Sequence, residues 1–165
     1  MNQLRTFSLS TLLVAGTLSA QQGERFLPVE VSVTMNGDKA KEFSVVLYKD
    51  NSQVVELPPS RHSAFQLALD LNSTYTIKIN KPGFREKVVF IDTQLPEGIE
   101  EYDAYPCKVN LEPLDLFAHA DPFYLDFPSA LARWDVAAGR FEHSGHYLDE
   151  IQVKMALLSA QAEAE

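Results

Sequence analysis

The chain of 165 residues contains a single cysteine, Cys107, so it forms no internal disulfide. Small exported eukaryotic domains are often disulfide-rich, whereas bacterial exported domains of this size frequently manage without them. The sequence also lacks a P-loop and a glycine-rich dinucleotide fingerprint. These absences argue against a disulfide-stapled scaffold and against nucleotide-dependent chemistry.

Basic residues are few as well. Fourteen Lys and Arg residues stand against 23 Asp and Glu, which gives a formal net charge of −9. A charge balance of this sign repels phosphate backbones and anionic lipid. We therefore expect no nucleic-acid partner.

The N-terminal residues MNQLRTFSLSTLLVAGTLSAQQ have the layout of a secretory signal peptide. Arg5 precedes an apolar stretch from Phe7 to Ala15, and small residues lead up to Ala20, after which we expect cleavage. The stretch is too short and too rich in Ser and Thr to span a bilayer, which needs about 20 mostly apolar residues. The alternative is an N-terminal helix of the folded domain. We expect an exported bacterial protein of the periplasm, cell surface or medium, with no transmembrane segment after cleavage.

After this segment, apolar and polar residues alternate in short runs separated by turn residues. Such runs predict strands that bury one face each, and no helical segment interrupts them to cover a parallel sheet. We predict a mainly β fold, an antiparallel Greek-key-type sandwich of about seven strands. The predicted strands are Val29–Met35, Phe43–Tyr48, Gln53–Leu57, Phe65–Leu71, Tyr75–Ile79, Lys87–Ile91 and Tyr105–Leu111.

This pattern divides the chain into four parts. We expect a signal peptide at 1–20, a short lead-in at 21–27, the sandwich domain at 28–112, and a C-terminal extension at 113–165. The extension is predicted to be irregular at first and to end in an amphipathic helix.

Two local features of the predicted strands have physical explanations. In the sequence Lys81-Pro82-Gly83-Phe84, proline fixes its own φ and glycine accepts a positive φ, as a type II turn requires. Cys107 falls on the apolar face of its strand, which predicts a small core residue. The alternative is a reactive thiol, although no basic residue shares that face.

The order of these elements resembles that of the carboxypeptidase regulatory-like, transthyretin-like seven-stranded domains. The resemblance covers residues 29 to 112 and is carried by the strands at 29–35 and 43–48 and by the block AFQLALDLNSTYTIKINKPGF, residues 64–84. One departure is His62-Ser63, where many members have a glycine. The resemblance implies a non-catalytic module that acts as a spacer, an adhesion or sugar-binding unit, or a docking unit of envelope proteins.

The sequence His143-Ser144-Gly145-His146 has a spacing that metal ligands can use, with acidic residues close by. A zinc site needs three or four converging ligands, and a pair alone is more typical of surface histidines at a helix start. A metal-dependent hydrolase centred on this pair is the alternative to a non-catalytic module. We expect no catalytic residues and no cofactor.

Aromatic residues cluster after the last predicted strand. Flat side chains of this kind can stack on sugar rings, which makes Tyr124 and Trp134 candidate ligand-binding residues for a glycan. The alternative is that they pack against the sandwich, because large aromatics supply much of a small core's burial.

From Tyr147 onward the apolar residues recur at intervals of three and four, which predicts a helix with one apolar stripe. Ser144 is the expected N-cap. The stripe either docks on the protein's own sheet or binds another protein, and its members are therefore candidate partner-binding residues. They are Leu148, Ile151, Met155 and Leu158.

Together these patterns predict an exported, non-catalytic β-sandwich module of the bacterial cell envelope that acts in binding or structural docking. Its expected partner is another envelope protein or a glycan. A carbohydrate-binding module and, after it, a metal-dependent hydrolase are the alternatives.

Overall fold

The computed structural model describes residues 25–117 and 125–163. The expected signal peptide and the first part of the lead-in lie outside these residues. The strands are β1 (Phe26–Met35), β2 (Asp38–Lys39), β3 (Phe43–Lys49), β4 (Ser52–Ser60), β5 (Ala64–Asp70), β6 (Thr74–Asn80), β7 (Lys87–Asp92), β8 (Tyr105–Leu111), β9 (Ala130–Asp135) and β10 (Arg140–His143). A 3-10 turn covers Leu114–Phe117, and the α-helix α1 covers Gly145–Glu163.

The strands form two sheets. The larger sheet has the order β10-β9-β7-β6-β3-β4. In the smaller sheet β1 is central: β5 and β2 pair with it in turn along one edge, and β8 pairs with its other edge. Both sheets contribute side chains to one apolar core. The predicted mainly β sandwich with a C-terminal helix is therefore confirmed.

The sheets differ from the prediction in strand direction and number. Two pairs are parallel, β1 with β8 and β7 with β9, so the expectation of a purely antiparallel sandwich is wrong for these pairs. Parallel neighbours need a long connection, and the chain provides one in each case. All seven predicted strands are present, and β2, β9 and β10 are additional. Residues 130–143, assigned from the sequence to the extension, thus belong to the larger sheet.

The period-two alternation along the strands determines which side chains form the core. Alternate residues of β1, β3, β6, β7 and β8 are buried, while their neighbours face outward or are half-buried. Cys107 is completely buried on β8, between Tyr105 and Val109 on the same face. The residue expected to fill a small core position does so.

The connecting turns have the predicted chemistry. Phe84 N donates to Lys81 O over 3.0 Å, and Gly83 has φ +81°, as expected for a type II turn. Between β1 and β2, Asn36 and Gly37 both have positive φ, which is the type I′ arrangement that suits a two-residue hairpin.

Helix α1 begins at Gly145, two residues earlier than the change of pattern at Tyr147 had indicated. Ser144 caps it as predicted: its Oγ accepts from Tyr147 N over 3.4 Å, and its carbonyl accepts from Leu148 N over 3.0 Å. Gly145 is tolerated because it occupies the first helical position rather than the interior. Over the described ranges, no helix has the length and apolar character needed to cross a membrane.

Candidate functional site

A cleft of about 650 Å³ lies between helix α1 and the sandwich. Its walls come from α1, from the edge strand β8, and from the beginnings of β7 and β9. We call it the α1–β8 cleft. It brings together residues from five elements, since the half-buried His143 at the end of β10 also lines it, and these residues include cations and apolar side chains.

Two cationic side chains at the start of β7 are buried. Lys87 lies on the same face of β7 as the core residues Val89 and Ile91, and it is only 6% exposed. Arg85, two residues before it, is 5% exposed. Charged side chains this deeply buried are uncommon unless they are paired, so their partners decide what the cleft can bind.

One carboxylate serves both cations. Glu112, directly after β8, has Oε2 at 2.7 Å from Lys87 Nζ and at 3.7 Å from Arg85 Nη1. Its side chain is 29% exposed. Burial lowers the pKa of Lys87 and of Arg85, and Glu112 opposes that shift for both residues. One negative charge thus compensates two buried positive charges only in part.

The Arg85 guanidinium is held from several sides. Nη2 donates to Leu125 O over 2.8 Å, Nη1 lies 3.6 Å from Met155 Sδ, and the group sits 4.7 Å from the centre of the Phe127 ring. Its Nε is buried and has no hydrogen-bond partner among residues 25–117 and 125–163. Ser129 Oγ, also in the cleft wall, is likewise buried and has no hydrogen-bond partner among these residues.

The cleft carries an excess of positive charge in an acidic chain. Lys108, exposed on β8, adds a third cation to the lining, and Glu112 is its one carboxylate among the described residues. Burial lowers the pKa of His143, so its imidazole is neutral at neutral pH. The local charge is therefore opposite in sign to the −9 of the whole chain.

The wall of the cleft that α1 supplies is apolar. Leu148, Ile151 and Met155 of α1 line it, with Val89 and Ala130 of the sheet at its base. Ile151 is buried, with 6% of its surface exposed, while Leu148 and Met155 are half-buried. The arrangement can hold a molecule that has one anionic end and one apolar part.

The predicted metal-ligand pair is divided between two environments. His143 ends β10, where its Nδ1 lies 2.7 Å from the Tyr105 hydroxyl. Burial raises the pKa of that tyrosine, so its hydroxyl is neutral in this hydrogen bond, whose direction follows the tautomer of the ring. His146 is exposed in the first turn of α1. Within the described part of the chain, no three His, Cys, Asp or Glu side chains are grouped as metal ligands would be.

The neighbouring thiol has the environment of a core residue. Cys107 lies on β8 two residues from Tyr105, and burial raises its pKa to about 11. Its thiolate is therefore scarce at neutral pH, and nucleophilic chemistry depends on the thiolate.

Of the two predicted glycan-binding aromatics, Trp134 is among the described residues. Trp134 is half-buried on β9 and packs edge-on against the core residue Phe141, with ring centres 5.3 Å apart. It also borders a shallow cleft of about 330 Å³ beside Asn72. Tyr124 lies outside the described residues.

The predicted partner-binding stripe faces the protein's own sandwich. Ile151 and Leu158 are buried, and Leu148 packs against the core cluster. This burial favours self-docking of the stripe over binding to another protein. The assignment of Leu148, Ile151, Met155 and Leu158 to an external partner stays a prediction.

Sequence reasoning missed Arg85, Lys87 and Glu112. A signal was present, because Lys87 has the same parity as Val89 and Ile91 and so occupies a core position of a strand. A lysine at such a position needs a buried partner. The partner, Glu112, is 25 residues away and could not be named without the fold.

Fold and cleft together define a two-sheet β module with a helix-bounded, cation-lined cleft. No family model and no curated protein sequence matches the chain. One matching solved structure is described as "Crystal Structure of S.CueP", with 14% sequence identity and a TM-score of 0.37. The match covers 55% of this chain and 64% of that chain, so this chain spans less than two thirds of that structure's length. A TM-score this low supports no functional argument.

Proposed function

We propose that this protein is an exported, non-catalytic binding module of the bacterial cell envelope and that the α1–β8 cleft is its ligand site. Export is supported by the charged start, short apolar stretch and small residues of positions 1–20. The resemblance to carboxypeptidase regulatory-like, transthyretin-like domains supports a module without catalysis. The family assignment and the cellular location are part of the same proposal.

The observation that carries the binding role is the composition of the cleft. Small-molecule sites are concave, mostly apolar and of about 300–1,000 Å³, with a few convergent polar groups that fix orientation. The α1–β8 cleft has about 650 Å³, an apolar wall on α1 and two buried cations at the start of β7. The titratable groups nearby favour binding over reaction, since the thiol of Cys107 has a raised pKa and is buried.

A probe-binding experiment tests the cleft as a ligand site. The neutral fluorescent probe N-phenyl-1-naphthylamine should bind the purified mature protein with enhanced emission. Gln152 lines the cleft and Val153, its neighbour, faces outward at 61% exposure. Gln152→Trp should fill the cleft and abolish the enhancement, whereas Val153→Trp should preserve it. Equal binding by both variants, or no binding by the native protein, would remove the cleft from consideration.

Fractionation tests the location. The full chain with a C-terminal tag should appear in the envelope fraction of a bacterial host, with a mature N-terminus near residue 21 by intact-mass analysis. Protease treatment of whole cells then separates a periplasmic from a surface-exposed protein. An uncleaved cytoplasmic protein would contradict export and would leave the probe result to be judged on its own.

A further inference from the structure

We infer that the ligand of the α1–β8 cleft is a small amphipathic carboxylate, with its carboxylate at Arg85 and Lys87 and its apolar part along α1. This inference rests on the proposed function, because it names the chemical class bound at the same site. It adds a charge requirement that a general apolar cleft would not have.

The charges that line the cleft favour an anionic ligand. Arg85 and Lys87 are 5% and 6% exposed, and the carboxylate of Glu112 lies nearest to Lys87, at 2.7 Å, and farther from Arg85, at 3.7 Å. A buried charge without full compensation is costly, and a second anion restores the balance. A carboxylate entering the cleft therefore gains more from these cations than it would from exposed lysines in water.

Two polar atoms of the cleft wall favour a ligand that can hydrogen-bond to them. Arg85 Nε and Ser129 Oγ are buried in the cleft wall, and neither has a hydrogen-bond partner among the described residues. Buried polar groups in proteins are nearly always paired, so an orphaned donor calls for an explanation. Nη2 donates to Leu125 O, and Nη1 lies beside Met155 Sδ and Glu112 Oε2, so Nε is the guanidinium nitrogen left to donate one charge-assisted hydrogen bond to a ligand oxygen.

The wall that α1 supplies favours an apolar part in the ligand. Leu148, Ile151 and Met155 present aliphatic carbon and sulfur to the cleft, which suits an apolar chain rather than a sugar or a nucleotide. Methionine adapts its shape to irregular apolar partners. A ligand that was anionic throughout would make no apolar contacts with this wall. A ligand without charge would not compensate the positive charges of Arg85 and Lys87.

A structural explanation competes with this inference. Arg85, Lys87 and Glu112 also close the seam between β7 and β8, where Arg85 N donates to Glu112 O over 2.9 Å. Closing the seam explains why the three residues are close together. It does not require the second cation or the unpaired Nε, and it predicts no dependence of ligand binding on Glu112.

Isothermal titration calorimetry with decanoate, below its micellar concentration, tests the inference on the mature protein. Decanoate should bind at least about tenfold more tightly than 1-decanol, since a hydrogen bond to a charged group is worth a factor of this size. Lys87→Met should weaken decanoate binding about tenfold and leave 1-decanol unchanged. Glu112→Gln should strengthen decanoate binding, because it removes the anion that competes for the same cations.

Lys49→Met is the matched control, because Lys49 forms an equally close pair with Asp70, at 2.6 Å, on the exposed surface. It should leave both affinities unchanged. Circular dichroism checks that each variant is folded at the titration temperature. If decanoate and 1-decanol bind equally, or if Glu112→Gln weakens decanoate binding in a folded variant, the carboxylate assignment is wrong. The naphthylamine result would still decide separately whether the cleft binds ligands at all.

Discussion

Lys87 Nζ lies 2.7 Å from Glu112 Oε2, on the face of β7 that otherwise belongs to the apolar core. The pair joins the start of β7 to the end of β8, and so it links the two sheets beside helix α1. The same carboxylate also compensates Arg85. We therefore expect changes at the Lys87–Glu112 contact to affect both the stability of the fold and the proposed ligand binding.

Glu112→Gln should lower the free energy of unfolding by about 1–3 kcal/mol, because it leaves two buried cations without an anion. Glu150→Gln is the control, since Glu150 pairs with Lys154 at 3.0 Å on the exposed side of α1. Such a pair contributes about 0.5 kcal/mol or less. Urea denaturation of the two variants makes the comparison, and equal losses would show that the Lys87–Glu112 contact is no more than a surface pair.

Ile151 and Val153 lie in the same turn of α1, and a comparison of the two tests whether the helix docks on its own sandwich. Ile151 is 6% exposed and Val153 is 61% exposed. Ile151→Ala should lower the free energy of unfolding by about 2–4 kcal/mol, as expected for truncating a buried aliphatic side chain. Val153→Ala should change it by less than about 0.5 kcal/mol. If thermal unfolding gave the same midpoint for both variants, the stripe would not be packed against the sandwich in solution.

Gly83 and Gly145 allow the energetic cost of a positive φ to be measured apart from steric crowding. Neither Gly83 nor Gly145 has an atom within 4 Å of an added Cβ, but Gly83 has φ +81° and Gly145 has no positive φ. Gly83→Ala should therefore cost about 1–2 kcal/mol through backbone strain alone. Gly145→Ala, at the start of α1, should raise stability by up to about 1 kcal/mol. Melting temperatures that move in the same direction would contradict this account.

The sequence predicted the elements whose signals are local. Alternation is decided by neighbours two residues apart, so all seven expected strands were found, as were the type II turn at Gly83 and the N-cap at Ser144. The strands β9 and β10 were not among the expected strands. Their membership of the larger sheet was not predicted, since it depends on the parallel pairing of Val89–Ile91 with Ala130–Ala132.

The candidate site could not be predicted in the same way. The fold alone brings together Arg85, Lys87, Glu112 and the wall of α1, because the start of β7 meets the end of β8 and the C-terminal helix returns beside them. Pairs so far apart in sequence leave no periodic signal. The residues that sequence reasoning preferred were chosen for their chemistry alone, and His143 proved to be bonded to Tyr105 rather than grouped with His146.

Trp134 distinguishes packing from sugar recognition. Its ring meets Phe141 edge-on, with the planes at 81°, and it is half-buried. Trp134→Ala should lower the free energy of unfolding by about 1–3 kcal/mol, below the about 3–5 kcal/mol of a fully buried tryptophan. Val136→Ala, at 81% exposure, is the neutral control. A glycan array completes the test: sugar binding that disappears in a Trp134→Ala protein of unchanged stability would favour the carbohydrate-binding alternative.

His143 should make stability depend on pH in a narrow window. Burial lowers its pKa in the folded protein, and the nearby Glu142 opposes the shift more weakly. The unfolded chain then binds a proton more readily than the folded one, so the free energy of unfolding falls as the pH drops below about 6.5, the ordinary histidine value. The loss ends once the pH is below the folded pKa, where both states are protonated.

Urea titrations at several pH values between 7.5 and 5.0 measure this loss, and the lower limit avoids most carboxylate titration. The His143→Asn variant is the comparison, because Asn keeps a polar partner for the Tyr105 hydroxyl without titrating. The native protein should lose more stability than the variant across the window, with a slope of at most about 1.4 kcal/mol per pH unit for a single group. Parallel curves would mean that His143 is as accessible to protons in the folded protein as in the unfolded chain. A native protein that gained stability on acidification would instead require an anionic neighbour stronger than Glu142 beside the ring.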